Sequence, residues 1–246
     1  MGGTTATILL QRAGYDVTTY EQAPGLTRIG AGINMDPQVM RIMRRLGVEA
    51  RLKAIGRTSE TRYSREWDSG RITFDVPVAR YPELYDGNHF SIHRGDLQEA
   101  LSAAVAPGAI QLGKRLTALD EQGGGVTLRF ADGSAAEADI VIGADGVNSR
   151  VREILLGPEP PRYTGNAAYR TIFPTARLGG RLPGDHVKWF ADDRYFLTYY
   201  LTQARDVFYF IAITPEPWGA SDFTPTPADL GKLRAAFAGS IPRSSR

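Results

Sequence analysis

The chain has 246 residues, 42% of them apolar, which is enough for a substantial core in one or two domains. Its 29 Lys+Arg against 27 Asp+Glu leave no broad basic field for nucleic acid or anionic lipid, and the lack of cysteine excludes disulfides and thiolate metal sites. The three histidines, His89, His93 and His186, show no metal-ligand spacing, no apolar run is long enough to span a bilayer and no cleavable leader is visible, so a soluble cytoplasmic protein is expected.

Residues 4–13 read as a small-and-aliphatic helix stopped by Gly14, and residues 16–21 (DVTTYE) as a strand. Gly2 and Gly3 stand at the helix N-terminus. In a βαβ dinucleotide unit, glycines placed there let backbone reach a pyrophosphate; a plain helix start is the alternative. Glu21 follows the glycines by about 20 residues at a strand end, the place from which a carboxylate accepts from a ribose diol. Residues 23–34 (APGLTRIGAGIN) are expected as a glycine-rich loop, in which Arg28 either holds a phosphate, stacks near a ring or closes the loop. Residues 37–46 read as a helix with Pro37 in its first turn and Val39, Ile42, Met43 and Leu46 on one face.

Residues 63–78 alternate like antiparallel strands. Residues 90–97 lead into a helix that runs to 105, with Arg94 at its start and Leu97, Leu101 and Val105 as its buried stripe. Residues 110–120, 126–130 and 134–138 read as three strands, the last two joined by an Asp132-Gly133 turn. Residues 139–143 (DIVIG) form a continuous apolar run, expected as a buried parallel strand that enters the Asp145-Gly146 turn and a helix carrying Ser149, Arg150 and Arg152.

Beyond Pro158–Pro161 the composition shifts. Residues 167–174, 186–191, 195–202 and 207–214 read as aromatic-rich strands of one antiparallel sheet, expected as a second domain forming a pocket wall. His186 reads as a surface hairpin residue, with titration near neutrality as the alternative. Residues 225–237 are expected as a helix and 239–246 as a frayed tail.

The stretches TTATILLQRAGYDVTTYEQAP, RIGAGINMDPQVMRIMRRLG, SIHRGDLQEAL and VIGADGVNSRVRE, in this order, resemble the group A flavoprotein monooxygenases, the para-hydroxybenzoate hydroxylase class, and most of all the salicylate and 6-hydroxynicotinate hydroxylases. The resemblance implies an α/β fold: a doubly wound, Rossmann-like FAD-binding sheet with a β-meander crossover (residues 1–62 and 90–160) and a smaller antiparallel-sheet substrate domain (63–89 and 161–240), both incomplete. It implies FAD as cofactor, NADH or NADPH as co-substrate, and oxygen transfer from a flavin C4a-hydroperoxide to an aromatic ring. By the same likeness Gly2, Gly3, Glu21, Arg28, Arg94, Asp145 and Gly146 hold the cofactor, with Arg150 and Arg152 as phosphate neutralisers or helix caps. Tyr199 and Asn34 are the catalytic candidates, and Tyr195, Tyr200 and Trp189 the substrate-binding ones, although large aromatics in alternation also serve simple sheet packing. The expected partners are a small aromatic substrate and O2, with a homo-oligomer as an option.

Two departures from the family pattern stand out. The first strand with its leading glycines, and the later Gly-Asp-x-x-His-Pro motif, are missing from the sequence, so the chain is expected to be truncated at both ends. Asn34 stands where hydroxynicotinate hydroxylases carry histidine. The alternative to an active hydroxylase is therefore a catalytically inactive remnant or partial FAD-binding module. A plain NAD-dependent dehydrogenase fits less well, because no His, Lys or Tyr-x-x-x-Lys arrangement is recognisable, and a related flavin reductase or halogenase lacks its extra motifs.

Overall fold

The fold is described from a computed structural model covering residues 1–26, 30–180, 184–217 and 226–239. Arg28 and the ends of the expected tail (240–246) and helix (225) lie outside the described residues.

In chain order, helix α1 (Gly2–Arg12) is followed by β1 (Thr19–Tyr20), β2 (Gly32–Met35), α2 (Pro37–Arg45), α3 (Glu49–Ile55) and β3 (Arg57–Thr58). Next come β4 (Arg62–Glu66), β5 (Ile72–Val76), α4 (Tyr81–Tyr85), β6 (Phe90–His93), α5 (Arg94–Ser102), β7 (Ile110–Gln111), β8 (Leu116–Gln122), β9 (Gly125–Phe130) and β10 (Ala135–Ala138). Helix α6 (Arg150–Leu156), strands β11 (Asn166–Pro174), β12 (His186–Phe190), β13 (Tyr195–Tyr200) and β14 (Val207–Pro215), and helix α7 (Leu230–Ala236) complete it.

The chain packs as two compact units. The first comprises Met1–Arg28, Leu46–Val48 and Leu97–Pro161; the second comprises Ile29–Arg45, Glu49–Asp96 and Arg162–Arg246. Residues 29–45, 49–62 and 90–96, expected with the nucleotide-binding domain, therefore pack with the antiparallel sheet.

In the first unit, β1 pairs in parallel with β7, and the meander runs β10-β9-β8. The Asp132-Gly133 turn joins β9 and β10 as expected, with Asp132 accepting from the backbone of Ser134 at 3.0 Å. The expected strand at 139–143 is not formed: Ile140 is 76% exposed and Ile142 57%, and no ladder reaches them among the described residues. A buried parallel strand needs a neighbour on each side to satisfy its backbone, and an apolar run without one stays extended but unpaired.

The second unit carries the largest sheet among the described residues, ordered β11-β14-β13-β12-β4-β5, antiparallel throughout except for the parallel β12–β4 pair. Its strands match the alternating aromatic stretches of the sequence within a residue or two. The loop expected at 23–34 contains β2, which joins β6 and β3 in a three-stranded sheet. Gly32 and the polar Asn34 hide its strand character, because its strand state comes from pairing with β6 rather than from local propensity. Helix α2 buries Pro37, Met40 and Met43, not the Val39–Ile42 face; Ile42 is 40% exposed. The run of positions spaced by three continues to the buried Leu46. Each such apolar side chain contributes about 1.5–3 kcal/mol on burial.

Candidate functional site

In the first unit the nucleotide candidates lie on α1, the end of β1 and the 139–150 segment. Gly3 sits in the first turn of α1, and a Cβ there would stand 3.3 Å from the Cβ of Ala144, so the small residue lets the helix start approach the Asp-Gly turn. Gly2 has open space where a side chain would point. Glu21, half-buried, continues β1: its backbone N–H donates to the Gln111 carbonyl at 2.9 Å, and its Oε1 accepts from the Ala23 N–H at 2.9 Å. The carboxylate is thereby oriented by the turn that follows the strand, with no hydrogen bond to its other oxygen among the described residues.

Asp145 is oriented from the opposite direction. Its Oδ1 accepts from the Ser149 hydroxyl at 2.6 Å, and its Oδ2 from the backbone N–H groups of Arg150 and Val151 at 2.7 and 3.1 Å. The carboxylate is thereby held in place by the helix start that follows it. Burial acts against the charged form, but these hydrogen bonds prevail and hold the carboxyl below its ordinary range. Gly146 follows with φ +83°, a backbone state a side chain rarely adopts. Ser149 caps α6 by accepting from the Arg152 N–H at 3.0 Å. The two arginines serve this architecture: Arg150 donates to the Thr117 carbonyl at 3.1 Å and pairs with Glu153, and Arg152 donates to the Val147 carbonyl at 3.0 Å.

In the second unit, Arg94 opens α5 with its side chain exposed, and its backbone N–H donates to the Ala31 carbonyl at 2.9 Å. Asn34 is on β2. Its Oδ1 accepts from the Ser91 hydroxyl at 2.7 Å, and its Nδ2 lies 3.1 Å from His186 Nε2. His186 is 5% exposed, which corrects the expectation of a surface hairpin residue; it opens β12 beneath β2, stacked on Tyr199 with ring centroids 5.5 Å apart. A second buried histidine, His89, meets it edge-on at 4.9 Å, and His89 Nδ1 is 2.9 Å from the Ser59 hydroxyl. Burial, then the Arg62 cation, pushes His89 down to about 4; burial, then His89 and Arg62, pushes His186 down to about 3.

The register sorts the aromatic candidates by face. Cross-strand partners share a face and successive residues alternate. Tyr195 and Tyr199 lie on the face of His186; Tyr200 and Trp189 lie on the other, so the four cannot line one pocket wall. Trp189 stacks on Phe196 at 4.5 Å, and Phe196 meets Phe237, the residue following α7, so the C-terminal helix covers that side. Tyr200 is 1% exposed and packs edge-on against Phe208. Tyr199 is 3% exposed, and its hydroxyl lies against Gly32, where a Cβ would come within 2.6 Å of it. Burial raises its phenol well above the ordinary range, which favours the protonated form.

Sequence reading missed the His89–His186–Asn34 cluster, and Lys188 beside it. The one available signal was alternation, which puts His186 and Lys188 on the same face of the strand HVKWF.

An acid closing the first strand, an Asp-Gly turn capping a helix, and a broad aromatic sheet define a nucleotide-cofactor protein with the fold of the FAD-dependent aromatic hydroxylases. The chain belongs to the FAD binding domain family, whose model matches residues 1–162. It is 46% identical to the 6-hydroxynicotinate 3-monooxygenase of Bordetella bronchiseptica over 97% of this chain and 63% of that protein. Among solved structures, a Klebsiella pneumoniae protein complexed with FAD and uric acid superposes with TM-score 0.83 at 27% identity, covering 98% of this chain and 60% of that one. A salicylate hydroxylase substrate complex gives TM-score 0.80 at 24% identity, over 98% and 61%. The chain thus spans less than two thirds of the length of these relatives.

Proposed function

We propose that this chain supplies the cofactor-binding and substrate-facing parts of an FAD-dependent monooxygenase that hydroxylates a phenolic or heteroaromatic acid with NADH or NADPH and O2. The observation that carries the reading is the family match over residues 1–162, joined in one chain to a sheet whose half-exposed face presents Tyr195 and Lys188. FAD, when bound, supplies the redox chemistry by which O2 is activated. The protein's part is to bind, orient and exclude water. Glu21 and Asp145 would each accept from a sugar or ribityl hydroxyl. Gly2, Gly3 and Gly146 would permit close backbone approach to the pyrophosphate, and Arg28 and Arg94 are the further candidates for contact with FAD. Asn34, fixed on both sides of its amide, would orient a polar ring substituent, and Tyr199, held neutral, would support it from beneath.

The test is the chain reconstituted with FAD and supplied with NADH, O2 and a panel containing 6-hydroxynicotinate, salicylate and their decarboxylated analogues. Hydroxylated product formed in proportion to NADH consumed is the expected result. FAD binding without product from any member would overturn the hydroxylase reading. It would favour the second one, a partial FAD-binding module without turnover, for which the exposed Ile140 and Ile142 speak.

A further inference from the structure

The six-stranded sheet presents its residues on the His186 face in rows. One row runs Arg62, His186, Tyr199, Tyr209, Ile172. His186, Tyr199 and Tyr209 in it are buried. The next row runs Ser64, Lys188, Leu197, Ile211, Arg170, and the one beyond it Glu66, Phe190, Tyr195, Ile213, Ala168. In these two rows Lys188, Leu197, Ile211, Tyr195 and Ile213 are half-buried, and Phe190 is 42% exposed. They form an open apolar floor beside the closed cluster.

Lys188 is the anomaly on this floor. Its ammonium lies 3.8 Å from the Tyr195 ring centroid and 4.3 Å from that of Phe190, so two π faces receive one side of it. It makes no ion pair with a carboxylate among the described residues. The charge nearest to it in effect is the Arg62 cation, itself paired with Asp36 at 3.2 Å. Glu66, the carboxylate of the outer row, is committed to Arg71 and Ser69. Burial and Arg62 both push the ammonium's pKa down, the mark of a cation short of compensating negative charge. Aromatic faces alone compensate an ammonium less than a charge-assisted hydrogen bond network does, and its N–H groups turned away from the rings meet no acceptor among the described residues.

We propose that this floor seats a flat aromatic acid, with the Lys188 ammonium, held on Phe190 and Tyr195, pairing with its carboxylate while Leu197, Ile211 and Ile213 take the ring. The inference rests on the aromatic-substrate reading and adds to it the residue that selects anionic over neutral rings. The occupant is a small aromatic carboxylate because the floor is apolar and carries one positive charge without a carboxylate partner among the described residues.

The test is equilibrium binding to the FAD-reconstituted chain by calorimetry, using two matched pairs: 6-hydroxynicotinate with 2-hydroxypyridine, and salicylate with phenol. The expected result is that the acid of at least one pair binds ten-fold or more tightly than its neutral partner. Lys188→Met should bring the two within two-fold of each other without changing the affinity of the neutral ring, and Lys188→Arg should restore the preference. The wild-type comparison alone decides the matter should Lys188→Met fail to fold, and Lys188→Gln provides a second variant. Equal binding of acid and neutral ring, an acid preference that survives Lys188→Met, or binding of neither overturns the seat. FAD affinity and hydroxylation, measured separately, stand or fall independently of it, so loss of the acid preference with turnover retained removes this inference and leaves the proposed function in place.

Discussion

The Nδ2 of Asn34 lies 3.1 Å from the Nε2 of His186, while the Oδ1 of the same amide accepts from Ser91. The amide donor fixes Nε2 as the acceptor and places the imidazole proton on Nδ1, a buried atom without a partner among the described residues. One polar side chain on β2 thus sets the tautomer of a histidine 152 positions further along the chain. Asn34→Ala removes both bonds and strands two buried polar groups, the Ser91 hydroxyl and His186 Nε2. A loss of about 1–3 kcal/mol is expected in urea unfolding, well beyond the few tenths typical of a surface change.

The histidine pair gives the fold a pH dependence of defined sign. Both imidazoles are held below the ordinary value of 6.5, His89 at about 4 and His186 at about 3, so the native state disfavours the protons that the unfolded chain accepts. Their full contribution to stability is present above pH 6.5. It is lost as pH falls toward 4 and 3, by up to about 1.4 kcal/mol per pH unit for each histidine. Arg62, Lys188 and Asp36 are the charges acting on the pair, Arg62 adding to the effect at both, Lys188 adding to it at His186 and Asp36 opposing it at His89. His89→Gln should roughly halve the slope between pH 6.5 and 4 in denaturant titrations; an unchanged slope would assign the acid sensitivity elsewhere.

Asp185 ties the start of β12 to the β3–β4 connection. It accepts from Arg57 at 3.0 Å and from the Glu60 N–H at 2.7 Å, and pairs with Arg205 at 2.8 Å, while 2% exposed. Asp185→Ala leaves the buried Arg57 cation with only the exposed Glu60 carboxylate, 3.1 Å away, at an expected cost toward the lower end of about 3–5 kcal/mol. Arg205→Met, which removes the solvent-exposed partner, should cost less than about 1 kcal/mol. Unfolding midpoints of the two variants should separate accordingly.

The sequence displayed the antiparallel sheet clearly, because period-2 alternation and turn residues are local properties. It hid β2, whose strand state is conferred by pairing with β6, and it suggested a strand at 139–143 because an apolar run carries no information about whether a neighbour exists to pair with it. At the site, Glu21 and the Asp145-Gly146 turn were legible, since strand end, spacing and turn chemistry are written in consecutive residues. The histidine cluster and Lys188 were not. His89 and His186 meet only through tertiary packing, and the uncompensated charge of Lys188 is a statement about which carboxylates are absent around it in space.

Gly146 and Asp145 carry a prediction for both cofactor binding and stability. Gly146→Ala forces a side chain into the left-handed region, at about 1–2 kcal/mol, and crowds the backbone that would approach phosphate. Asp145→Asn keeps an acceptor for the N–H groups of Arg150 and Val151 but loses the charge. FAD affinity is expected to fall at least ten-fold in both, whereas the drop in thermal stability should differ in origin, from backbone strain in Gly146→Ala and from the lost charge and Ser149 bond in Asp145→Asn.

The most direct measurement is a fluorescence titration of FAD into the purified chain and into its Glu21→Ala and Asp145→Ala variants, with circular dichroism to verify folding. Saturable binding at one FAD per chain, weakened ten-fold or more by each substitution, is the predicted result. Absence of flavin binding by the folded wild-type chain, or equal affinity in all three proteins, would contradict the assignment of these two carboxylates to the cofactor.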